Sequence, residues 1–303
     1  MSETSGAKAM RSYAKPKLTL ERRLGLEQSL FWTTFFRTLR APGGWVGLAI
    51  ILGAIVMAAI APILSPYDPL EMHKGEQFLP PSGKYLFGTD EFGRDVLSRT
   101  IYSSRISLLA GAFAVACAMA AGVPLGLISG YFGRAVDTVI MRMMDTLLAF
   151  PAVLLAMVIV AILGISSTNA MIAVAVVSIP SFARIARSSM LTQKEMDYVM
   201  ASRSIGASDA QIIFRSILPN AIPPVLVQIT VSVVFAILME AALSFLGLGT
   251  QPPDPSWGAM LYISRSYLRR AWWYGFFPGL FLTTVVLGFN LFSGALRDAL
   301  DPT

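Results

Sequence analysis

Six apolar segments divide this chain, and each is long enough, or nearly so, to cross a bilayer as a helix. They cover residues 45–64, 106–128, 138–163, 170–186, 222–246 and 276–292. A helix rising about 1.5 Å per residue needs roughly 17–25 apolar residues to traverse the hydrocarbon layer. Six such runs predict an all-α, polytopic membrane protein with six transmembrane helices. Of 303 residues, 55% are hydrophobic and only 14% charged, too few charges to clothe a soluble domain of that size.

The net charge of +6 does not indicate nucleic acid, because the basic residues flank the apolar segments, as the positive-inside rule expects. Residues 1–43 form a polar arm with Lys8, Arg11, Lys15, Lys17, Arg22, Arg23, Arg37 and Arg40. Its charge predicts a cytoplasmic N-terminus, and the absence of a short apolar core before a cleavage site argues against a removable signal peptide. Leu30, Phe31, Trp32, Phe35 and Phe36 are placed to lie along the inner interface. With the first span at 44–65 and six crossings in all, both termini fall on the cytoplasmic side. Cys117, the single cysteine, is expected in the apolar core, and the single histidine, His73, excludes a His-rich metal site.

A polar island at 192–220 interrupts the apolar pattern on the cytoplasmic side. Thr192 with Glu195 and Ser208 with Gln211 have capping-box spacing. Gly206 lies between them, where a helix would end in a left-handed residue. Pro219 is expected to stop the second helix. The result is two short helices bent at Gly206 and Ala207, with Val199, Met200 and Ile205 available on one and Ile212, Ile213 and Ile217 on the other.

Ala201, Ser202 and Gly206, closed by Ser216-Ile217-Leu218-Pro219, resemble the coupling loop of the inner-membrane subunits of bacterial ABC importers. The run Gly88-Thr89-Asp90-Glu91-Phe92-Gly93-Arg94-Asp95, the run Arg142 to Pro151, the stretch Ala242 to Gly258 and the ending Gly294 to Pro302 resemble the dipeptide, oligopeptide, glutathione and nickel branch. The chain is most similar to the second, C-type, dipeptide permease subunit. The resemblance implies a type-I importer permease fold, with residues 101–303 as its core. It also implies that Tyr198, Val199, Met200, Ala201, Ser202, Gly206, Ala207, Ser208, Ile212, Leu218 and Pro219 meet an ATPase. Met200 stands where the family has a glutamate, which leaves apolar docking and helix-end geometry as the contact. Partners implied are a homologous second permease, two ATP-binding subunits holding ATP and Mg, and a periplasmic or lipid-anchored solute-binding protein.

Charged residues stand out in three regions, the periplasmic loop, the third apolar segment and the fifth. In the periplasmic loop, 66–100, the carboxylates lack the spacing of a calcium loop. Asp95 and Arg99 are instead spaced for an i,i+4 pair after a Thr89 or Asp90 cap, with Arg94 nearby. Arg142 and Asp145, one turn apart, predict an ion pair, with a place for Asp145 on the translocation path as the alternative. Glu240 sits within the fifth apolar segment, where a carboxylate is costly; lining the path and pinning helices are equally compatible with it. The small residues Ala110, Ala114, Ala118, Gly122, Gly126 and Gly130 recur every fourth position and predict a close helix contact.

No phosphate-binding loop of the Gly-x-x-x-x-Gly-Lys-Ser/Thr form occurs, so the chain is expected to carry no ATPase site or cofactor of its own. A gradient-driven transporter would usually carry an internal repeat, and an intramembrane enzyme would need a nucleophile and base within the spans. What remains is what the resemblance implies: the permease subunit of an ATP-driven importer in the bacterial inner membrane. Dipeptides or short oligopeptides are the expected solute, with glutathione or nickel as alternatives and no nucleic-acid partner.

Overall fold

The computed structural model describes residues 36–300. Most of the arm, including Leu30, Phe31, Trp32 and Phe35, lies outside the described residues. The elements are α1 (Pro42–Ala59), α2 (Ala61–Leu64), α3 (Val96–Phe132), α4 (Arg134–Leu148), α5 (Ala152–Leu163), α6 (Ser167–Gln193), α7 (Asp197–Ser204), α8 (Asp209–Gln211), α9 (Leu218–Phe245), α10 (Trp257–Ser264) and α11 (Trp273–Leu300). A π-helical turn, Ile212–Ile217, joins α8 to α9. Among the described residues, β structure is limited to one isolated antiparallel bridge, Thr89 with Asp95.

Five continuous helical stretches among the described residues are long and apolar enough to cross a membrane, and the bent pair α4–α5 brings the number to six if it crosses as one span. That pair corrects the expectation of an unbroken helix over 138–163. α4 and α5 meet at 92° because Pro151 cannot donate a backbone hydrogen bond and disfavours helical geometry at Phe150. α4 is amphipathic, with Val136, Val139 and Met143 exposed.

The ridge on α3 makes a close backbone contact with α6. Ala110, Ala114, Ala118, Gly122, Gly126 and Gly130 are all buried. A Cβ on Gly126 would come within 2.1 Å of the Ala183 carbonyl oxygen on α6, and one on Gly122 within 2.7 Å of that of Ile179. Without driving force from water, backbone approach of this kind is what lets dispersion hold two membrane helices together. α3 continues through Pro124. Cys117 is exposed rather than core, because it falls outside the four-residue repeat that faces α6.

α1 packs on α11 by the same device: a Cβ on Gly47 would lie 2.6 Å from the carbonyl oxygen of Gly288. A shared core then gathers Ala114, Ala118, Ala156, Val160, Val174, Phe182 and Leu243 from α3, α5, α6 and α9.

At one end of the helices, residues 66–95 fold as a cap over α10 and the start of α11. Trp273 donates from Nε1 to the Thr89 carbonyl at 3.2 Å, and Trp257 to that of Thr100 at 3.1 Å. The proline-rich stretch before Trp257 leads into α10, a helix that its turn residues concealed.

Candidate functional site

At the opposite end, α7, α8 and the π turn form a compact lobe beyond the ends of α3 and α6. Gly206 has φ +81°, the left-handed conformation expected where the first short helix stops. The Ala207 N–H returns to the Ser202 carbonyl at 3.1 Å, satisfying a carbonyl at the helix end. Ser208 and Gln211 complete a reciprocal capping box at the start of α8.

Two punctuation marks act differently from expectation. Thr192 and Glu195 do not cap a helix, because α6 runs on to Gln193 and its Met190 is buried in the lobe's core. Met196 precedes α7 instead. Pro219 does not stop the second helix; it occupies the first turn of α9. The Leu218 N–H reaches back to the Ile213 carbonyl, and this wider turn relieves the clash that a proline ring makes with an α-helical carbonyl four residues before it. The lobe is thereby continuous with the fifth span.

The faces of the pair sort cleanly. Val199, Ile212, Ile213 and Ile217 turn inward and pack with Leu127, Ala186, Met190 and Ala221. They anchor the lobe to α3, α6 and α9 and are not available to a partner, contrary to the docking face expected from the sequence. Met200 (55% exposed), Ile205 (85%) and Phe214 (53%) point outward. Ala201, Ser208 and Pro219 are also exposed, while Ser202, Ala207 and Leu218 are partly buried. Tyr198 donates its hydroxyl to Gln193 Oε1 at 2.8 Å. Phe214 was not among the expected residues; the signal lay in its position directly after two isoleucines that a helix must bury.

Polar contacts fix the lobe's orientation. Tyr131 at the end of α3 donates to Asp209 at 2.5 Å. Lys194 Nζ donates to the Gly130 carbonyl at 3.2 Å. Nearby, Arg187 on α6 grips Asp137 on α4. Asp145 pairs with Arg184 across to α6 at 2.7 Å, and not with Arg142. The spacing on α4 permitted the local pair, but the bend and the packing of α4 bring the more distant arginine to the carboxylate. Asp145 and Arg184 are both about half exposed.

The other charged positions belong to the opposite end. Asp95 is the N-cap of α3, its Oδ2 accepting from the Ser98 N–H at 2.8 Å and the Ser98 hydroxyl at 2.7 Å. It does not pair with Arg99, and neither Thr89 nor Asp90 is the cap. Arg94 donates to Asp90 at 2.6 Å and Glu91 at 3.1 Å. Arg99 lies 3.4 Å from Asp90 and donates to the Pro69 carbonyl at 2.9 Å. Burial pushes the carboxyls of Glu91 and Asp95 up. The cluster is a buried clasp holding the cap on α3, since buried charges of this kind persist only when paired and hydrogen-bonded.

Glu240 is 2% exposed. Its carboxylate accepts from Ser244 at 2.8 Å, Ser107 at 3.2 Å and Thr250 at 3.4 Å. Three hydroxyls from α3, α9 and the loop after α9 converge on it.

Residues 122–303 match the family described as binding-protein-dependent transport system inner membrane component. Residues 29–81 match the N-terminal TM domain of oligopeptide transport permease C. The dipeptide transport system permease protein of Alkalihalophilus pseudofirmus is 48% identical over 257 residues, covering 85% of this chain and 84% of that protein. The di/tripeptide transport system permease protein of Pseudomonas aeruginosa is 45% identical over 90% of this chain and 91% of its own length. The glutathione transport system permease protein of Pectobacterium atrosepticum is 43% identical over 90% of each. Among solved structures, the inward-facing MetNI methionine ABC transporter has a chain that superposes with TM-score 0.55 and 18% identity. The match covers 68% of this chain and 97% of that one and extends to the fold alone.

Proposed function

The chain belongs to the family of inner-membrane components of binding-protein-dependent transport systems, and from that premise we propose that it is the permease subunit of an ATP-driven importer of dipeptides or short oligopeptides. The observation that carries this reading is the lobe at 196–217. It is a helix pair with a capping box at Ser208 and Gln211, anchored by buried isoleucines and continuous with a membrane span, that presents Met200, Ile205 and Phe214 to solvent. A gradient-driven carrier would leave this lobe unexplained.

In this reading the outward face enters a cleft of a separate ATP-binding subunit, which supplies ATP and Mg. Movement of that subunit is passed through the π turn into α9 and through Leu127 and Met190 into α3 and α6. A homologous second permease completes the passage, two ATP-binding subunits drive it, and an external solute-binding protein delivers the solute. The complex sits in the bacterial inner membrane, with the lobe and both termini on the cytoplasmic side, where the basic arm favours them. Peptide is favoured as solute by the relatives of 45–48% identity. Glutathione, itself a small peptide, is the second reading, supported by a relative of 43% identity.

Reconstitution tests this directly. The chain is purified with co-purifying permease, ATPases and solute-binding protein, and labelled dipeptide, glutathione and nickel are supplied in separate vesicles. ATP-dependent uptake of dipeptide in preference to the other two is expected. Uptake that persists without the ATPases would contradict the proposal.

A further inference from the structure

A groove of about 400 Å³ opens between α1 and α3, floored by Val233 of α9 and Phe289 of α11. Its walls include Ile55 and Ala58 from α1 and Leu109 and Ala112 from α3. Among the described residues its only charged lining residue is Arg105, which is exposed and makes no ion pair or hydrogen bond with any of them.

We propose that this groove is a binding site for an anionic phospholipid, with the phosphate on Arg105 and one acyl chain lying between α1 and α3. The depth of Arg105 fits a headgroup. α3 has 37 residues and is about 55 Å long, longer than the roughly 30 Å hydrocarbon layer. Arg105 immediately precedes the apolar stretch 106–128, so it stands at the boundary where that layer begins. From there Leu109 and Ala112 continue the same face of α3 inward, and the small side chains of Ala58 and Ala112 leave width for a chain. An arginine at this level favours a phosphate, which takes two parallel N–H donors. A zwitterionic lipid offers the same phosphate but no net negative charge, so the lone cation selects for anionic headgroups. The inference rests on the membrane spans and does not depend on which solute is carried.

The test is native mass spectrometry of the assembled complex, equilibrated with vesicles of equal parts phosphatidylglycerol and phosphatidylcholine. The wild-type protein is expected to retain phosphatidylglycerol preferentially. Arg105→Gln, a change at an exposed side chain, is expected to lower that retention about fivefold, the scale of one basic residue at an anionic surface. Ala112→Trp, which fills the groove and leaves Arg105 in place, is expected to lower retention of both lipids. Thermal melting identifies folded variants. Equal retention of the two lipids by the wild type, or undiminished phosphatidylglycerol on Arg105→Gln, would overturn the site. So would efficient cross-linking of Leu109→Cys to the second permease, because the groove would then be filled by protein.

Discussion

Arg187 holds Asp137 in a two-pronged grip, Nε to Oδ1 at 2.5 Å and Nη2 to Oδ2 at 2.6 Å. The pair joins α6 to the first turn of α4 where the chain turns back from α3, and Ser129 donates to the same carboxylate. It fixes the angle at which the bent pair α4 and α5 leaves the bundle. Both side chains are partly exposed, so solvent screening limits the contribution. Arg187→Ala is expected to lower stability by ~1 kcal/mol, as for a charge-assisted pair of this exposure. Arg187→Lys should recover only part of it, since an ammonium cannot reproduce the planar fork. Thermal melting of the purified complex measures both, and full recovery by lysine would show that charge alone suffices.

The small-residue ridge predicts a sharp difference among glycines. Gly126→Ala places a methyl against the Ala183 backbone at 2.1 Å, and a backbone cannot swing aside. Overpacking of this kind costs ~1–3 kcal/mol or more, so the folded yield should fall markedly. Gly53→Ala meets nothing within 4 Å and should be neutral. Comparable yields for the two variants by size-exclusion chromatography would remove the ridge as the basis of the α3–α6 contact. Gly122→Leu is expected to fail within the chain, before any subunit assembly.

Glu240 is a pin on this geometry. Glu240→Ala leaves buried hydroxyls of Ser107, Ser244 and Thr250 without their acceptor and is expected to cost ~1–3 kcal/mol. Glu240→Gln keeps an acceptor oxygen and should cost less. Measured per folded complex, uptake should be close to wild type in both. A large loss of uptake by fully stable Glu240→Gln would place the carboxylate on the solute path instead.

The exposed face of the lobe gives the fourth prediction. Met200→Asp and Phe214→Asp add charge at positions that touch little of their own chain, so membrane insertion and melting temperature should hold. Co-purification of the ATP-binding subunits should fall. Ile213→Asp, by contrast, buries a charge in the lobe's core and should reduce the folded yield itself. The account fails if Met200→Asp and Phe214→Asp together leave co-purification intact.

How far the sequence carried these conclusions depends on the range of the interaction. The left-handed Gly206, the Ser208–Gln211 box and the four-residue ridge are written in neighbouring residues, and local backbone chemistry decides them. The partners of Asp145 and Arg99 are set by packing. Arg184 is brought to Asp145 from another helix, and Asp90 is brought to Arg99 by the folded cap. Spacing along one helix therefore named the wrong partner twice. Pro219 misled for a related reason: a local stop signal was absorbed by the π turn before it, whose Ile213 and Ile217 are buried against α3 and α6. Which face of the lobe stays exposed was legible only once the positions of Leu127 and Met190 were known.

Gly206 tests the central claim most directly. Its φ of +81° suits glycine, yet an added Cβ would meet nothing within 4 Å. A substitution there perturbs backbone conformation without a clash. Gly206→Val should incur ~1–2 kcal/mol of local strain and turn α8 away from α7, while the spans lie beyond the bend. In vesicles reconstituted with both permeases, the ATP-binding subunits and the solute-binding protein, ATP-driven dipeptide uptake and ATPase association are measured together. The account predicts normal insertion and permease pairing, with association and uptake reduced on the order of tenfold, the factor that strain of this size supplies. Full association and full uptake by Gly206→Val would contradict it.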